Sequence, residues 1–100
     1  MEIRTLFDEV PYEFALEGRL DTNTAPQLED FVGDLYAQAV SDIVVDMKKC
    51  DFVSSAGLRV IVAMQKRASS SNGSLVFRHV QDEVMDVFQM TGFDKILTFV

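Results

Sequence analysis

Two adjacent hydroxyls, Ser54 and Ser55, stand between an apolar stretch ending at Phe52-Val53 and a run with helical spacing, Leu58, Ile61, Val62 and Ala68. A hydroxyl at a helix start has two chemistries open to it. It can accept a hydrogen bond from the unpaired N–H groups of the first turn, a cap worth about 1 kcal/mol. It can also take a phosphoryl group, whose negative charge suits those donors and the helix dipole. On residue type alone, capping is the simpler of the two, because serine is common before helices.

Few other side chains offer chemistry. His79 is the only histidine and serves no Ser or Cys motif, so it is expected at a solvent-facing strand end. Cys50 is the only cysteine, which excludes an internal disulfide and fits a reducing compartment. It is expected in a loop, partly buried and not a nucleophile. No Gly-rich phosphate loop ending in Lys-Ser/Thr, no His-Glu-x-x-His, no paired cysteines and no Gly-x-Ser-x-Gly elbow occur. A zinc ion would lack ligands. The expectation is a binding protein without metal or cofactor, not an enzyme.

Charge narrows the partners. Sixteen acidic residues against nine basic ones give a net charge of −7. The densest basic groups are only Lys48-Lys49 and Lys66-Arg67, too few to bind nucleic acid or an anionic membrane. No apolar run approaches the roughly 18 residues of a membrane span. Glu2, Arg4, Asp8 and Glu9 interrupt the N-terminus, unlike a signal peptide. A cytoplasmic location is expected.

The 100 residues suit one domain, 1–100, with 48% hydrophobic residues to fill its core. Ile3 to Phe7 is short and β-rich. Tyr12, Phe14 and Leu16 alternate with Glu13, Ala15 and Glu17, the period of a strand with one wet face. Asp8 to Pro11 can turn these two into a hairpin. Gly18 to Asn23 breaks the pattern. Thr24 and Gln27 then read as a capping box, with Pro26 in the first turn of a helix carrying Leu28, Phe31, Val32, Leu35 and Ala39. Ser41-Asp42 ends it. The continuous run Ile43-Val44-Val45 predicts a strand covered on both faces. Asp46 should lie at its end, followed by a loop over Met47 to Val53. A helix follows from Ser54-Ser55 to a turn at Ser69 to Ser74. Leu75 to Phe77 is a strand, Val80 to Met90 a helix closed by Gly92, and Ile96 to Val100 a final strand or terminal segment. The order is β-β-α-β-α-β-α, with an optional last β. It implies an α/β domain with a mixed sheet of four to five strands.

Three segments, in order, resemble the STAS domain family, in particular its anti-sigma factor antagonists. Gly18-Arg19-Leu20-Asp21, followed by Thr24-Ala25 and Leu28, is similar to the family's entry into its first helix. Val45-Asp46-Met47 with Phe52-Val53-Ser54-Ser55-Ala56-Gly57-Leu58 resembles its signature, aliphatic-Asp-aliphatic and then aromatic-aliphatic-Asp-Ser-Ser-Gly-Leu. Val84 to Phe93, with Met90-Thr91-Gly92-Phe93, resembles its last helix and the Gly-hydrophobic corner after it. Two departures stand out: Ser54 replaces the signature Asp, and Ala56 replaces the second serine.

The resemblance implies a single SpoIIAA-like domain and a partner-switching cycle. Members bind an anti-sigma factor that is also a serine kinase, are phosphorylated by it and released, and are restored by a serine phosphatase. The matching acceptor here is Ser55, with Ser54 as the alternative. The partner-binding surface it implies comprises Asp21, Thr24, Ser54, Ser55, Ala56, Gly57, Leu58 and Arg59. Bland roles stay open for several of these: turn-making for Asp21, a polar strand end for Asp46, an exposed helix charge for Arg59. Asp21, Asp46 and Asp51 are expected in loops near one end of the sheet. A constitutive adaptor or transporter accessory subunit, and a small-ligand or nucleotide sensor, are the alternative functions.

Overall fold

Strand β1 (Glu2–Phe7) and strand β2 (Tyr12–Leu20) form the expected antiparallel hairpin in a computed structural model that describes residues 1–100. Helix α1 (Ala25–Ala37), β3 (Asp42–Val53), α2 (Ser55–Ser70), β4 (Ser74–Arg78), α3 (Asp82–Thr91), a short 3-10 turn (Phe93–Lys95) and β5 (Thr98–Phe99) follow. The fold is α/β, with three helices and one mixed sheet of five strands. Its order is β1-β2-β3-β4-β5, with every pair after the first parallel.

The strand order advances one step at each crossover. Right-handed connections therefore carry α1, α2 and α3 to the same face. Phe14, Leu16, Ile43, Val45, Met47 and Phe77 point into that layer and are at most 1% exposed. The opposite face stays open. It carries ion pairs from Arg4 to Glu17 at 2.8 Å and from Arg78 to Glu13 at 3.3 Å. Val44 is only half-buried there, so its strand is covered on one face, not two. An unbroken apolar run says that a strand is buried, but not how many layers bury it.

The long β3 replaces the loop expected over Met47 to Val53. Met47, Cys50 and Val53 all face the helices, though they are three residues apart and not two. The pairing of β2 with β3 shifts register between Ala15 and Glu17 and again between Gly18 and Arg19. Such irregularities break the two-residue period that pattern reading relies on. Gly18, at φ +109°, takes up part of this distortion, and β2 runs on to Leu20.

The helix ends also differ in detail. α1 stops at Ala37 rather than near Ser41, and the chain leaves it through Ala39 at φ +63°. α2 runs on through Ser69 to Ser70, into the expected turn. α3 ends at Gly92 in the left-handed conformation, as its sequence predicts.

Candidate functional site

The ends of β2 and β3 lie side by side, with Leu20 paired to Val53. The backbone N–H of Ser54 donates to the Leu20 carbonyl at 2.8 Å, which fixes the start of α2 against the end of β2. Gly57 makes the approach possible. A Cβ there would lie 2.7 Å from Leu20 Cγ and 3.0 Å from the Leu20 carbonyl oxygen.

The two serines divide the work. Ser54 is the N-cap of α2, in extended conformation, and its Oγ accepts from the Gly57 N–H at 3.2 Å. Serine and aspartate cap about equally well, so this N-cap position suits either residue type. Ser55 is the first helical residue. It is exposed, and its hydroxyl makes no hydrogen bond within the chain. Arg59 stands one turn further along α2, also exposed and without an ion-pair partner.

The β2–α1 turn lies beside this helix start, and Asp21 organises it. Its Oδ1 accepts from the N–H groups of Asn23 at 2.9 Å and Thr24 at 3.1 Å. Thr24 is the N-cap residue of α1, but its hydroxyl makes no cap bond to the helix. It accepts from the Asp21 N–H at 2.8 Å and donates to the Arg19 carbonyl at 2.7 Å. The expected capping box with Gln27 is therefore absent, because the Thr24 hydroxyl turns back onto the strand end.

Desolvation works to raise the Asp21 carboxyl. The Thr24 and Asn23 N–H groups, the Thr24 hydroxyl and the Arg19 charge outweigh it and hold the group below its usual 3.8. A carboxyl lowered on folding contributes stability above its unfolded pKa, lost as pH falls through the folded one. Asp21→Asn keeps an acceptor oxygen but not the charge. Thermal unfolding across pH should show the variant losing its disadvantage to wild type below about pH 4.

Other expected site residues separate from this cluster. Leu58 turns into the core at 6% exposure and Gly57 is buried against Leu20, so neither presents a side chain to a partner. Ala56 is half-buried at the rim. Asp46 lies within β3, paired with Arg78 and seven residues before Val53, roughly 20 Å along the strand. It does not share a sheet end with Asp21. Its Oδ1 accepts from the Lys48 N–H at 2.9 Å, and its Oδ2 lies 3.1 Å from Nδ1 of His79 just beyond β4. Asp51 is also in β3, not in a loop. Cys50 is wholly buried in the same strand, and burial pushes its thiol up, which keeps it protonated at neutral pH.

One feature of this end escaped sequence reading. The Arg19 guanidinium lies 4.0 Å from the centroid of the Phe52 ring. The two residues are distant in sequence and meet only because β2 and β3 pair in parallel, with Arg19 opposite Phe52.

A family model described as Mlab, STAS domain matches residues 6–98. The chain belongs to the STAS domain family. Among relatives of this STAS domain is BtrV of Bordetella bronchiseptica, named for a proposed role as an anti-sigma factor antagonist. The two are 32% identical over 81 residues, covering 81% of this chain and 70% of the relative. The anti-sigma-B factor antagonist of Staphylococcus aureus is 26% identical over 97 residues, covering 97% and 90%. Among solved structures, the anti-sigma factor antagonist SpoIIAA in its unphosphorylated form superposes with a TM-score of 0.77 at 15% identity, covering 99% of this chain and 87% of that one. Phosphorylated SpoIIAA from Bacillus gives 0.76 at 16% identity, covering 99% and 91%. These two likenesses concern the fold.

Proposed function

We propose that this STAS domain is an anti-sigma factor antagonist controlled by phosphorylation of Ser55. The observation that carries the proposal is the division between the serines: Ser54 Oγ is held by the Gly57 N–H, while Ser55 Oγ is exposed and unengaged. The names of its relatives support the partner class, an anti-sigma factor. That partner would also be the serine kinase. The Ser55 oxygen attacks the γ-phosphorus of ATP, an O–P bond forms, and the bond to the bridging oxygen breaks. ADP leaves, and the hydroxyl proton passes to a base on the kinase. A serine phosphatase reverses the modification by hydrolysis. The domain itself supplies an acceptor and a docking surface, with no catalytic group, metal or cofactor of its own.

The modification suits its position. A phosphate on Ser55 sits at the positive end of the α2 dipole, near N–H groups that have no intrahelical acceptor. Arg59, four residues on, is the neighbour that such a charge would meet along the helix. The phosphate thus has local stabilisation and need not disturb the fold. SpoIIAA, solved both with and without phosphate, keeps a similar likeness to this chain in either form. Asp21 and Thr24 shape the adjoining turn and extend the proposed docking surface beside Ser54, Ser55, Ala56 and Arg59.

Calorimetric titration of the unmodified domain with its purified anti-sigma factor kinase tests the assignment. A saturable complex is expected. Absence of heat and of co-elution at micromolar concentrations would overturn it. A complex whose affinity ignores the state of Ser55 would instead indicate a constitutive adaptor.

A further inference from the structure

α1 and α2 pack side by side and leave a groove of about 560 Å³ between them, open to solvent. Val32, Val60 and Met64 form its floor. Gly33 and Ala63 face into it from the two helices. At its far end lie Lys66 and Arg67, and Glu29 lies nearer the start of α1.

Two observations bear on what this groove could hold. The first is Gly33. It lies inside α1, where glycine costs about 1 kcal/mol relative to alanine. Nothing in the chain requires it, because a Cβ there would meet no atom within 4 Å. The absence of a side chain leaves room for a backbone to approach from outside.

The second is charge. Lys66 and Arg67 are adjacent cations in a chain of net charge −7, and neither takes part in any of its ion pairs. Arg67 instead lies over the Tyr36 ring, 5.0 Å from its centroid. Tyr36 is itself tied down by donating to the Met64 carbonyl at 3.3 Å. Arg67 is thus held at the groove rim with its charge unpaired, and Lys66 beside it is exposed.

The α2 side of the groove, Val60, Ala63 and Arg67, lies on the same helix as the proposed phosphorylation site. Ala56, Val60, Ala63 and Arg67 follow one another at four- and three-residue spacing, one stripe along α2 that begins beside Ser55. At 1.5 Å per residue, Ser55 and Arg67 are about 18 Å apart along the axis, within the span of one ordinary interface.

We propose that the groove receives an amphipathic helix of the anti-sigma factor. Its apolar face lies over Gly33 and Ala63, and its acidic side chains meet Lys66 and Arg67. The proposal rests on the antagonist function above and adds to it a second contact that phosphorylation does not touch.

Calorimetry with the purified anti-sigma factor kinase tests it, comparing wild type, Gly33→Leu, the double variant Lys66→Glu/Arg67→Glu, and Ser55→Asp. Gly33→Leu fills the groove and should leave the thermal midpoint equal or higher, since leucine is the better helix former. It should weaken binding about tenfold or more. The charge reversal, which leaves the core intact, should weaken binding by about tenfold at low salt and by less as salt screens it. If both groove variants bind within twofold of wild type while Ser55→Asp does not, the groove proposal fails and the antagonist function stands. If wild type itself does not bind, both fail. Binding to phosphatidylglycerol vesicles that Gly33→Leu abolishes would reassign the groove to lipid and overturn the proposal.

Discussion

Phosphorylation of Ser55 should weaken binding to the anti-sigma factor kinase about a hundredfold. A phosphoserine carries about −1.5 to −2 charges at neutral pH. Ser55 is exposed at the rim of the proposed contact, and unpaired charge buried in an interface costs several kcal/mol. A net loss of about 3 kcal/mol corresponds to the hundredfold change. Arg59 can offset part of that loss by pairing with the phosphate, so Arg59→Ala should deepen it. Ser55→Asp should reproduce the direction with a smaller effect, since it carries one charge. Ser55→Ala should bind as tightly as wild type and be insensitive to ATP. Surface plasmon resonance on these variants and on the phosphorylated domain gives all four values. Equal affinity across the set would remove the switch and leave a constitutive adaptor.

Gly57→Ala should produce the largest loss of stability at the site. The added methyl would sit 2.7 Å from Leu20 Cγ and 3.0 Å from the Leu20 carbonyl oxygen. Leu20 is wholly buried and cannot swing away, and its carbonyl already accepts the Ser54 N–H at 2.8 Å. Relief therefore means lifting the first turn of α2 off β2. Overpacking of this kind costs roughly 1–3 kcal/mol. In a 100-residue domain that lowers the thermal midpoint by roughly 10 °C. The same shift breaks the Ser54 link to Leu20 and misplaces Ser55, so binding should fall as well. A midpoint within 2 °C of wild type (by scanning calorimetry) would show that the close packing of helix on strand is not needed.

Much of the architecture was legible because helices and strands here keep their periods. Leu28, Val32 and Leu35 are buried along α1 as their spacing predicts, and Gly92 ends α3 in the left-handed conformation. β3 was not legible beyond Val45, because the shifted register places Met47, Cys50 and Val53 on one face at three-residue spacing. The same extension of β3 takes Asp46 away from the sheet end that holds Asp21, to a place roughly 20 Å along the strand from Val53.

At the site, the resemblance of Phe52 to Leu58 located the helix start, but residue types could not separate the two serines. Their difference lies in backbone conformation: Ser54 is extended with its Oγ turned to the Gly57 N–H, and Ser55 already belongs to the helix. Leu58 was drawn into the expected docking surface by its place in the motif, whereas helical geometry turns it inward. Arg19 on Phe52 and the α1–α2 groove depend on pairings across distant segments, which no local pattern encodes.

The most direct test maps the phosphate after incubation of the domain with its anti-sigma factor kinase and MgATP. Tandem mass spectrometry should find a single phosphoryl group, on Ser55, retained in Ser54→Ala and lost in Ser55→Ala. A phosphate on Ser54, or no phosphate on either serine, would contradict the assignment of the exposed hydroxyl as the acceptor.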